Sequence, residues 1–356
     1  MHILIAPDSY KGSMTAEQVC RIIKDALSNQ PGITTTTLPL SDGGEGFGVC
    51  CVNACKGIIL YTDAVDLYGT PMQAPLYTWG DTALIECAAT CALQEKKDIF
   101  AASSYGVGMQ IKSAVSLGFH HLIIGLGGSG MCDGGAGALA ALGLRFYDKS
   151  RHRIPHPAGG NLEQICSMDI PSELQSIVKS LHFTYACDVV NPYVGEQGAA
   201  AVFAPQKGAT PQQVKILNTG MEQLADLLPQ AVCTLPGAGA AGGLCGGLYG
   251  IFGGTIKSGF TLLADLAGLE QAIATADLVI TGEGRTDSQT LMGKLPFRVA
   301  QLAHKLGKRC YVLSGDGDGT LVGDKVITLT DAQTPPAAAI ANAETLLAQK
   351  AKSLLQ

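Results

Sequence analysis

Short apolar segments at both ends of the chain are each followed by a turn rich in glycine and charged residues. The segment HILIA (2–6) precedes Asp8, and the segment LVIT (278–281) precedes the turn GEGRTD. Apolar runs of this length without alternation are typical of strands that are buried on both faces, as in parallel sheets covered by helices. The two ends of the chain therefore predict a common parallel sheet, and this restricts the fold more than any other feature.

Further segments near the ends extend this pattern. Strands are predicted at 34–40, 309–313 and 325–329. Helices are predicted at 15–28, where Thr15 and Gln18 are spaced as a capping box, and at 297–306. Strands that alternate with helices indicate a doubly wound α/β domain.

The middle of the chain has a different pattern of predicted strands and helices. Residues 57–86 contain short strand-like pieces broken by Gly and Pro, which favours an antiparallel meander. Strands at 121–126 and 182–187 and helices at 109–117 and 211–228 follow. We predict a discontinuous doubly wound parallel-sheet domain (1–56 and 260–356) and an inserted mixed α/β domain (57–259), with the active site in the cleft between them.

Composition and charge narrow the classes of function. The formal net charge is −6 and no run of Lys or Arg occurs, so nucleic-acid binding is not expected. The 12 cysteines include no Cys-x-x-Cys pair, and no secretory signal precedes the first strand, so we expect a cytoplasmic protein with free thiols. The uncharged stretch 235–254 is too rich in glycine for a membrane span, so no membrane partner is expected.

Charged residues gather where the predicted parallel strands end. Ligands of open α/β sheets bind at the carboxyl ends of the strands. Clustered carboxylates need cations, and Mg²⁺ together with basic side chains and exposed backbone amides indicates phosphoryl transfer. The candidates at these strand ends are Asp8, Ser9, Lys11, Asp42, Glu45, Glu283, Arg285, Asp287 and Lys294.

The predicted inserted domain adds glycine-rich turns. The turn LGGSGMCDGGAG (126–137) offers amides that suit a phosphate, and CDVVNP (187–192) supplies a carboxylate and an amide side chain. Simple turns or helix caps explain Asp42, Asp133 and Asp188 about as well. The segment 236–254 spaces glycines four apart, which favours close backbone packing over contact with a ligand.

A dinucleotide site is an alternative. Residues 125–130 match G-x-G-x-x-G after a predicted strand, and Asp148 lies near the distance of a ribose-binding acid. This match supports a nicotinamide-dependent oxidoreductase. A Walker A motif is absent, because Gly293-Lys294 is followed by leucine.

Six blocks of sequence resemble the glycerate kinase family of the bacterial glycerate 2-kinase type, which is unrelated to P-loop kinases. In chain order the blocks are IAPDSYKGS (5–13), LPLSDGGEG (38–46), GGSGMCDGGAG (127–137), NPYVGEQGAAAVFAPQKGAT (191–210), PGAGAAGGL (236–244) and LVITGEGRTDSQTLMGK (278–294). The resemblance implies ATP-dependent phosphorylation of D-glycerate, typically to 2-phosphoglycerate, with Mg²⁺, in a two-domain α/β fold.

Roles within this reaction are predicted from side-chain chemistry. Lys11 and Arg285 would neutralise the glycerate carboxylate and the transferred phosphoryl group, and Asp188 would act as the base. Asp42 completes the predicted catalytic set. The other predicted roles are substrate binding by Asp8, Ser9, Glu45, Asn191 and Lys294, nucleotide or phosphate binding by Gly127, Gly128, Ser129, Asp133, Gly237 and Gly239, and metal binding by Glu283 and Asp287.

The chain departs from the family pattern at one place. Gly130-Met131-Cys132 stands where the family has Ala-Thr-Asn, so a hydroxyl and an amide are missing beside the predicted phosphate turn. A non-catalytic sensor of small anions derived from a kinase is therefore a further hypothesis. The sequence leaves open whether the chain forms a homodimer.

Overall fold

The computed structural model of the chain describes residues 1–28, 30–44, 46–172, 174–175, 180–331 and 333–354. The chain forms two compact units. We call Met1–Cys55 with Gly259–Gln356 the terminal unit, and Lys56–Ser258 the middle unit. The fold class is α/β, as predicted.

The strands within the described ranges are, in chain order, β1 His2–Ile5, β2 Thr34–Thr37, β3 Ile58–Val65, β4 Pro71–Trp79, β5 Thr82–Glu86, β6 His121–Gly125, β7 Arg145–Tyr147, β8 Arg153–Ile154, β9 Ser167–Asp169, β10 His182–Ala186, β11 Thr255–Lys257, β12 Leu278–Thr286, β13 Arg309–Gly317 and β14 Lys325–Thr328. The α-helices within the same ranges are α1 Ala16–Leu27, α2 Phe47–Cys55, α3 Cys87–Cys91, α4 Tyr105–Ser116, α5 Ala136–Ala141, α6 Ala199–Phe203, α7 Pro211–Leu227, α8 Leu244–Phe252, α9 Gly259–Ala267, α10 Leu269–Thr275, α11 Leu295–Lys305, α12 Pro336–Ala341 and α13 Ala343–Ser353.

The terminal unit contains the predicted parallel sheet. Its five strands follow the order β14-β13-β12-β1-β2, and every neighbouring pair is parallel. The direction in which successive strands are added reverses between β1 and β12. Strand β2 lies on one side of β1, and strands β12, β13 and β14 follow on the other side. Such a reversal is the point at which open α/β sheets bind ligands.

The core of the terminal unit explains why its strands carry no polar alternation. Ile3 and Ile5 of β1 pack in one apolar cluster with Val19 of α1 and Leu347 of α13. Leu4, which points to the opposite face, is also fully buried. The predicted capping box at the N-terminus of α1 is confirmed. The hydroxyl of Thr15 accepts from the backbone N–H of Gln18, and the side-chain oxygen of Gln18 accepts from the backbone N–H of Thr15.

The long pairing of β12 with β13 corrects one prediction. The strand predicted at 278–281 continues to Thr286, so Glu283 and Arg285 lie on the strand and not in a turn after it. Arg285 pairs with Asp316, within the GDGDG segment (315–319). A side chain on Gly282 would collide with the carbonyl oxygen of Leu313, so glycine permits the two extended backbones to approach here.

The middle unit contains a mixed sheet of six strands in the order β11-β10-β6-β5-β4-β3. Strands β3, β4 and β5 form the predicted antiparallel meander, and β5, β6, β10 and β11 are parallel. The helix predicted at 211–228 is α7, with the side chain of Thr210 as its N-cap. A small antiparallel sheet consists of β7, β8 and β9.

The glycine-rich segment before and within α8 packs backbone against backbone, as predicted. A side chain on Gly247 would collide with the carbonyl oxygen of Gly134, and one on Gly246 would collide with the ring of Tyr193. The hydroxyl of Tyr193 donates to the Gly134 carbonyl at 2.7 Å. The segment is therefore buried inside the middle unit, and no helix among the described residues is long and apolar enough to cross a membrane.

Candidate active site

A cavity of about 610 Å³ opens at the carboxyl ends of the strands of the terminal unit. This volume is in the range of cavities that hold small organic ligands. The cavity has charged side chains at one end and apolar side chains at the other. Its lining residues belong to the terminal unit and are Asp8, Ser9, Tyr10, Lys11, Ser13, Asp42, Gly44, Glu283, Gly284, Arg285, Lys294, Gly315, Asp316, Leu329, Thr330, Pro336, Ala339, Ile340 and Ala343.

Asp8 follows β1 and lies among other carboxylates. Its Oδ1 atom accepts a hydrogen bond from the backbone N–H of Ser9 at 2.7 Å. Burial, helped by the charges of Asp42 and Glu283 and opposed by the Ser9 hydrogen bond, raises the pKa of Asp8 from 3.8 to about 7. Asp8 is therefore a carboxyl group that a nearby cation would stabilise in its charged form.

The turn after β1 presents Lys11 to the cavity. The turn is closed by backbone hydrogen bonds between Tyr10 and Met14, and the buried Tyr10 hydroxyl donates to the carbonyl of Leu313 at 2.9 Å. Lys11 itself is exposed. The turn is thus fastened to β13 through Tyr10 while the ammonium group of Lys11 stays accessible to a ligand.

Asp42 comes after β2 in a tight turn. Its Oδ1 accepts from the backbone N–H of Gly44 at 3.2 Å, which holds the carboxylate in place. Both Asp42 and Gly44 line the cavity. The predicted substrate-binding residue Glu45 lies outside the described residues.

Glu283 is a buried carboxylate fixed by hydroxyl groups. Its Oε1 accepts from the hydroxyls of Thr290 at 2.7 Å and Thr286 at 3.2 Å. Burial raises the pKa of Glu283, and these hydrogen bonds and the ammonium of Lys294 oppose the rise. The Nζ atom of Lys294 lies 3.9 Å from Oε2 of Glu283 and 3.8 Å from Oδ1 of Asp287, so Lys294 stands between the two residues predicted to bind metal.

Arg285 is held by carboxylates on two sides. Its Nε lies 3.4 Å from Asp287 and its Nη1 lies 3.0 Å from Oδ2 of Asp316. The other oxygen of Asp316 accepts from the hydroxyl of Thr330 at 2.8 Å. The Arg285 side chain remains 61% exposed, so its position is fixed while N–H donors remain available for an anion.

The carboxylates of the cavity suit a magnesium ion that also binds phosphates. Mg²⁺ in nucleotide sites takes one or two carboxylates and completes its shell with phosphate oxygens and water. Among the described residues no group of three or more His, Cys, Asp or Glu side chains is arranged to hold a metal by itself. Asp8 and Asp42 repel each other and have no Lys or Arg ion pair within the described ranges, so this pair fits such an ion.

The predicted phosphate turn of the middle unit is held by a buried lysine. Lys207 is 3% exposed, and its ammonium donates to the hydroxyl of Ser129 at 3.1 Å and to the carbonyl of Met131 at 2.6 Å. Burial lowers the pKa of Lys207, and the nearby Cys132 thiol and Asp133 oppose this shift. Lys207 thereby fixes the backbone that follows Gly127 and Gly128.

Asp133 is engaged inside the middle unit. It is fully buried, its Oδ2 accepts from the N–H and hydroxyl of Ser104 at 2.7 and 2.8 Å, and its Oδ1 accepts from the N–H of Gly135 at 3.1 Å. Burial raises its pKa while these donors lower it. The carboxylate joins the starts of α4 and α5, and a role toward phosphate stays a prediction.

The other predicted residues of the middle unit meet around the end of β10. Asp188 is exposed two residues after the end of β10, and the side chain of Asn191 donates to the carbonyl of Gln197 at 2.9 Å. Gly239 donates its N–H to the Asn191 carbonyl at 3.0 Å, and Gly237 adopts a left-handed φ of 85°. Asp188, Asn191, Gly237 and Gly239 therefore belong to one loop cluster, and this cluster adjoins the turn of Asp133, because the N–H of Gly134 donates to the carbonyl of Gly242 at 3.0 Å.

Sequence reasoning did not identify Asp316, Thr330 or Lys207. Asp316 stands in the GDGDG segment and Lys207 in PQKG, but a charged residue beside glycine does not reveal which partner it meets. The pairing of β12 with β13 brings Asp316 to Arg285. Only the folded chain places these groups.

Comparison with known proteins agrees with the motifs. The model of the glycerate kinase family matches residues 3–356. The chain belongs to the glycerate kinase family. Glycerate kinases of Haemophilus influenzae and Bacillus subtilis are 37% and 40% identical over 88% and 85% of this chain, and the matches cover 86% and 82% of those proteins.

Two further relatives support membership of the glycerate kinase family. A glycerate 2-kinase of Escherichia coli is 37% identical over 88% of this chain and 85% of its own length. A crystal structure from Salmonella typhimurium LT2, assigned to glycerate kinase 2, has a TM-score of 0.87 at 37% identity and covers 99% of this chain and 97% of that one.

The features that suggested other functions have local explanations. Gly130 donates its N–H to the Cys91 carbonyl at 2.7 Å, and the next α-helix begins only at Ala136, whereas a dinucleotide fingerprint opens a helix at its last glycine. Met131 and Cys132 are fully buried in the core of the middle unit. Both side chains therefore serve core packing in the middle unit.

Proposed function

We propose that this chain phosphorylates D-glycerate with ATP and Mg²⁺, and that 2-phosphoglycerate is the product. One observation supports this most directly. Lys11, Arg285 and Lys294 line the same cavity as Asp8, Asp42 and Glu283, at the carboxyl ends of parallel strands. A site that must bind a small carboxylate and a polyphosphate needs several cations, and a site that uses magnesium needs carboxylates beside them.

The cations would select and orient the anions. Arg285, held by Asp287 and Asp316, offers N–H donors in a fixed direction, which suits a carboxylate or phosphate better than a mobile side chain does. Lys11 adds a point charge from the turn after β1. Together they favour a hydroxy acid over an uncharged diol, and they would offset negative charge as the phosphoryl group moves.

In the reaction, a hydroxyl oxygen of glycerate bonds to the γ-phosphorus of ATP as the bond from that phosphorus to the β–γ bridging oxygen breaks, and ADP leaves. We propose Asp188 as the base that accepts the hydroxyl proton. Ser9, Asn191 and Lys294 are proposed to contact glycerate, and Gly127, Gly128 and Ser129 to contact phosphate oxygens.

Asp8 and Asp42 are proposed to hold the magnesium ion in place of Glu283 and Asp287, the ligands predicted from the sequence, because the ammonium of Lys294 lies within 4 Å of both of those carboxylates. The bound ion would neutralise phosphate charge and orient the phosphates. Without both carboxylates the magnesium ion would not be held, and Lys11 and Arg285 alone would neutralise the charge of the polyphosphate. Glu283 would then act mainly by positioning Lys294, whose ammonium lies 3.9 Å from it.

A coupled assay tests the proposal. Purified protein is given ATP, MgCl₂ and D-glycerate, ADP release is followed, and the phosphorylated isomer is identified by ³¹P NMR. We expect ADP release that requires both D-glycerate and Mg²⁺, with 2-phosphoglycerate as the product. The absence of turnover with D-glycerate, L-glycerate and related hydroxy acids would refute a kinase function, and binding without turnover would support the sensor hypothesis instead.

A further inference from the structure

The cavity of the terminal unit has an apolar wall that glycerate cannot use. Its members come from the end of β14 and from helices α12 and α13. Leu329, Ala339 and Ala343 are buried, and Ile340 is 61% exposed. The wall is formed by Leu329, Pro336, Ala339, Ile340 and Ala343.

Glycerate is a three-carbon acid in which every carbon carries oxygen, so it has no apolar surface to bury. Apolar surface at the edge of a binding cavity contributes only when the ligand brings matching apolar area. The cavity is also larger than a three-carbon acid requires, at about 610 Å³. The end that the wall forms therefore suits a larger molecule with a flat, weakly polar part.

The wall is joined to the cationic end by a continuous hydrogen-bonded chain. Thr330 follows Leu329 and donates its hydroxyl to Asp316, and the other oxygen of Asp316 holds Arg285. The backbone N–H of Thr330 also donates to the carbonyl of Gly315 at 3.3 Å. A ligand with anionic groups beside Arg285 would thus extend along Thr330 to the wall.

Building on the proposed function, we infer that this wall is the subsite for the nucleobase of the phosphate donor, with the polyphosphate directed toward Lys11 and Arg285. Of the two substrates, only a nucleoside triphosphate combines a flat base with an anionic chain. The base would cover the exposed face of Ile340 and lie against the Leu329 side of the cavity.

The test compares Ile340→Glu with Leu321→Glu by titration calorimetry. Both side chains are exposed and apolar in the terminal unit, at 61% and 65%, but Leu321 lines a different cavity. The ligands are ADP and inorganic pyrophosphate, each with MgCl₂. Pyrophosphate carries the anionic groups without a base, so it serves as the matched ligand control.

We expect Ile340→Glu to weaken ADP binding by about tenfold or more, because a charged side chain replaces an apolar contact with the base. Pyrophosphate binding should be unchanged, and Leu321→Glu should alter neither ligand. Ile340→Ala should give a smaller loss for ADP alone. Melting temperatures verify that all variants are folded.

The inference is overturned if wild-type protein does not bind ADP, if Ile340→Glu leaves ADP affinity unchanged, or if it weakens ADP and pyrophosphate equally. It is also overturned if Ile340→Glu raises only the KM for glycerate. These outcomes are separate from failure of the proposed function, which shows as wild-type protein that binds ADP but does not phosphorylate glycerate.

Discussion

Replacing Asp8 by asparagine is expected to stabilise the metal-free protein at alkaline pH. The pKa of Asp8 is raised from 3.8 to about 7 by burial and by the charges of Asp42 and Glu283. The folded protein therefore binds this proton more tightly than the unfolded chain does. Stability that is fully present below pH 4 is lost as the pH rises through about 7. Asparagine carries no charge and keeps an oxygen that can accept from Ser9, so it escapes this loss.

The size of the effect follows from the shift. At about 1.4 kcal/mol per pKa unit, the full shift corresponds to about 4 kcal/mol. Because water reaches part of the carboxylate and screens it, we expect a gain of about 1–3 kcal/mol in the free energy of unfolding at pH 8. The gain should shrink toward zero near pH 4, where wild-type Asp8 is protonated in the folded protein.

The assay is urea unfolding in EDTA at several pH values, followed by hydrogen–deuterium exchange of β1 and β12. Exchange reports on the terminal unit, whereas the single tryptophan, Trp79, lies in β4 of the middle unit. Asp25→Asn, on the exposed face of α1, is the matched control and should show no comparable gain. Equal or lower stability of Asp8→Asn at pH 8, or a gain independent of pH, would refute the electrostatic reasoning. Adding Mg²⁺ should stabilise wild type more than the variant.

Other variants test separate parts of the account. Gly247→Ala should destabilise the middle unit by about 2–4 kcal/mol in thermal or urea unfolding, because the new methyl group collides with the Gly134 carbonyl oxygen, and an unchanged midpoint would contradict the close packing. Tyr193→Phe should cost about 1–2 kcal/mol by the same measurement, since it leaves that buried carbonyl without its 2.7 Å hydrogen bond. Asp188→Asn should lower kcat for glycerate phosphorylation by about 100-fold or more with an unchanged melting temperature, and wild-type turnover would remove Asp188 as the base.

The sequence allowed prediction of features determined by neighbouring residues and, from the buried strand pattern, of the parallel sheet that the two chain ends share. The capping box of Thr15 and Gln18 depends on a spacing of three residues. The antiparallel meander depends on strand lengths and on the turn residues between them. The close packing around Gly247 could be predicted because repeated glycine lowers the stability of a helix, and close backbone contact is what offsets that loss.

Contacts between particular side chains from distant parts of the chain could not be predicted. The extension of β12 to Thr286 requires pairing with β13, and this pairing gives Arg285 its partner Asp316. The raised pKa of Asp8 requires Asp42 and Glu283 nearby, although the latter lies 275 residues further along the chain. Burial of Lys207 beneath the turn at Ser129 likewise has no local signature.

The most direct test of the central claim is the kcat/KM for D-glycerate of Lys11→Ala measured beside Lys24→Ala. Lys11 lines the cavity of the terminal unit, and Lys24 is an exposed lysine on α1 of the same unit. We expect Lys11→Ala to lose about 100-fold or more, because a cation that opposes the developing phosphoryl charge is removed, while Lys24→Ala stays near wild type. Equal activity of the two variants would contradict the assignment of this cavity as the active site.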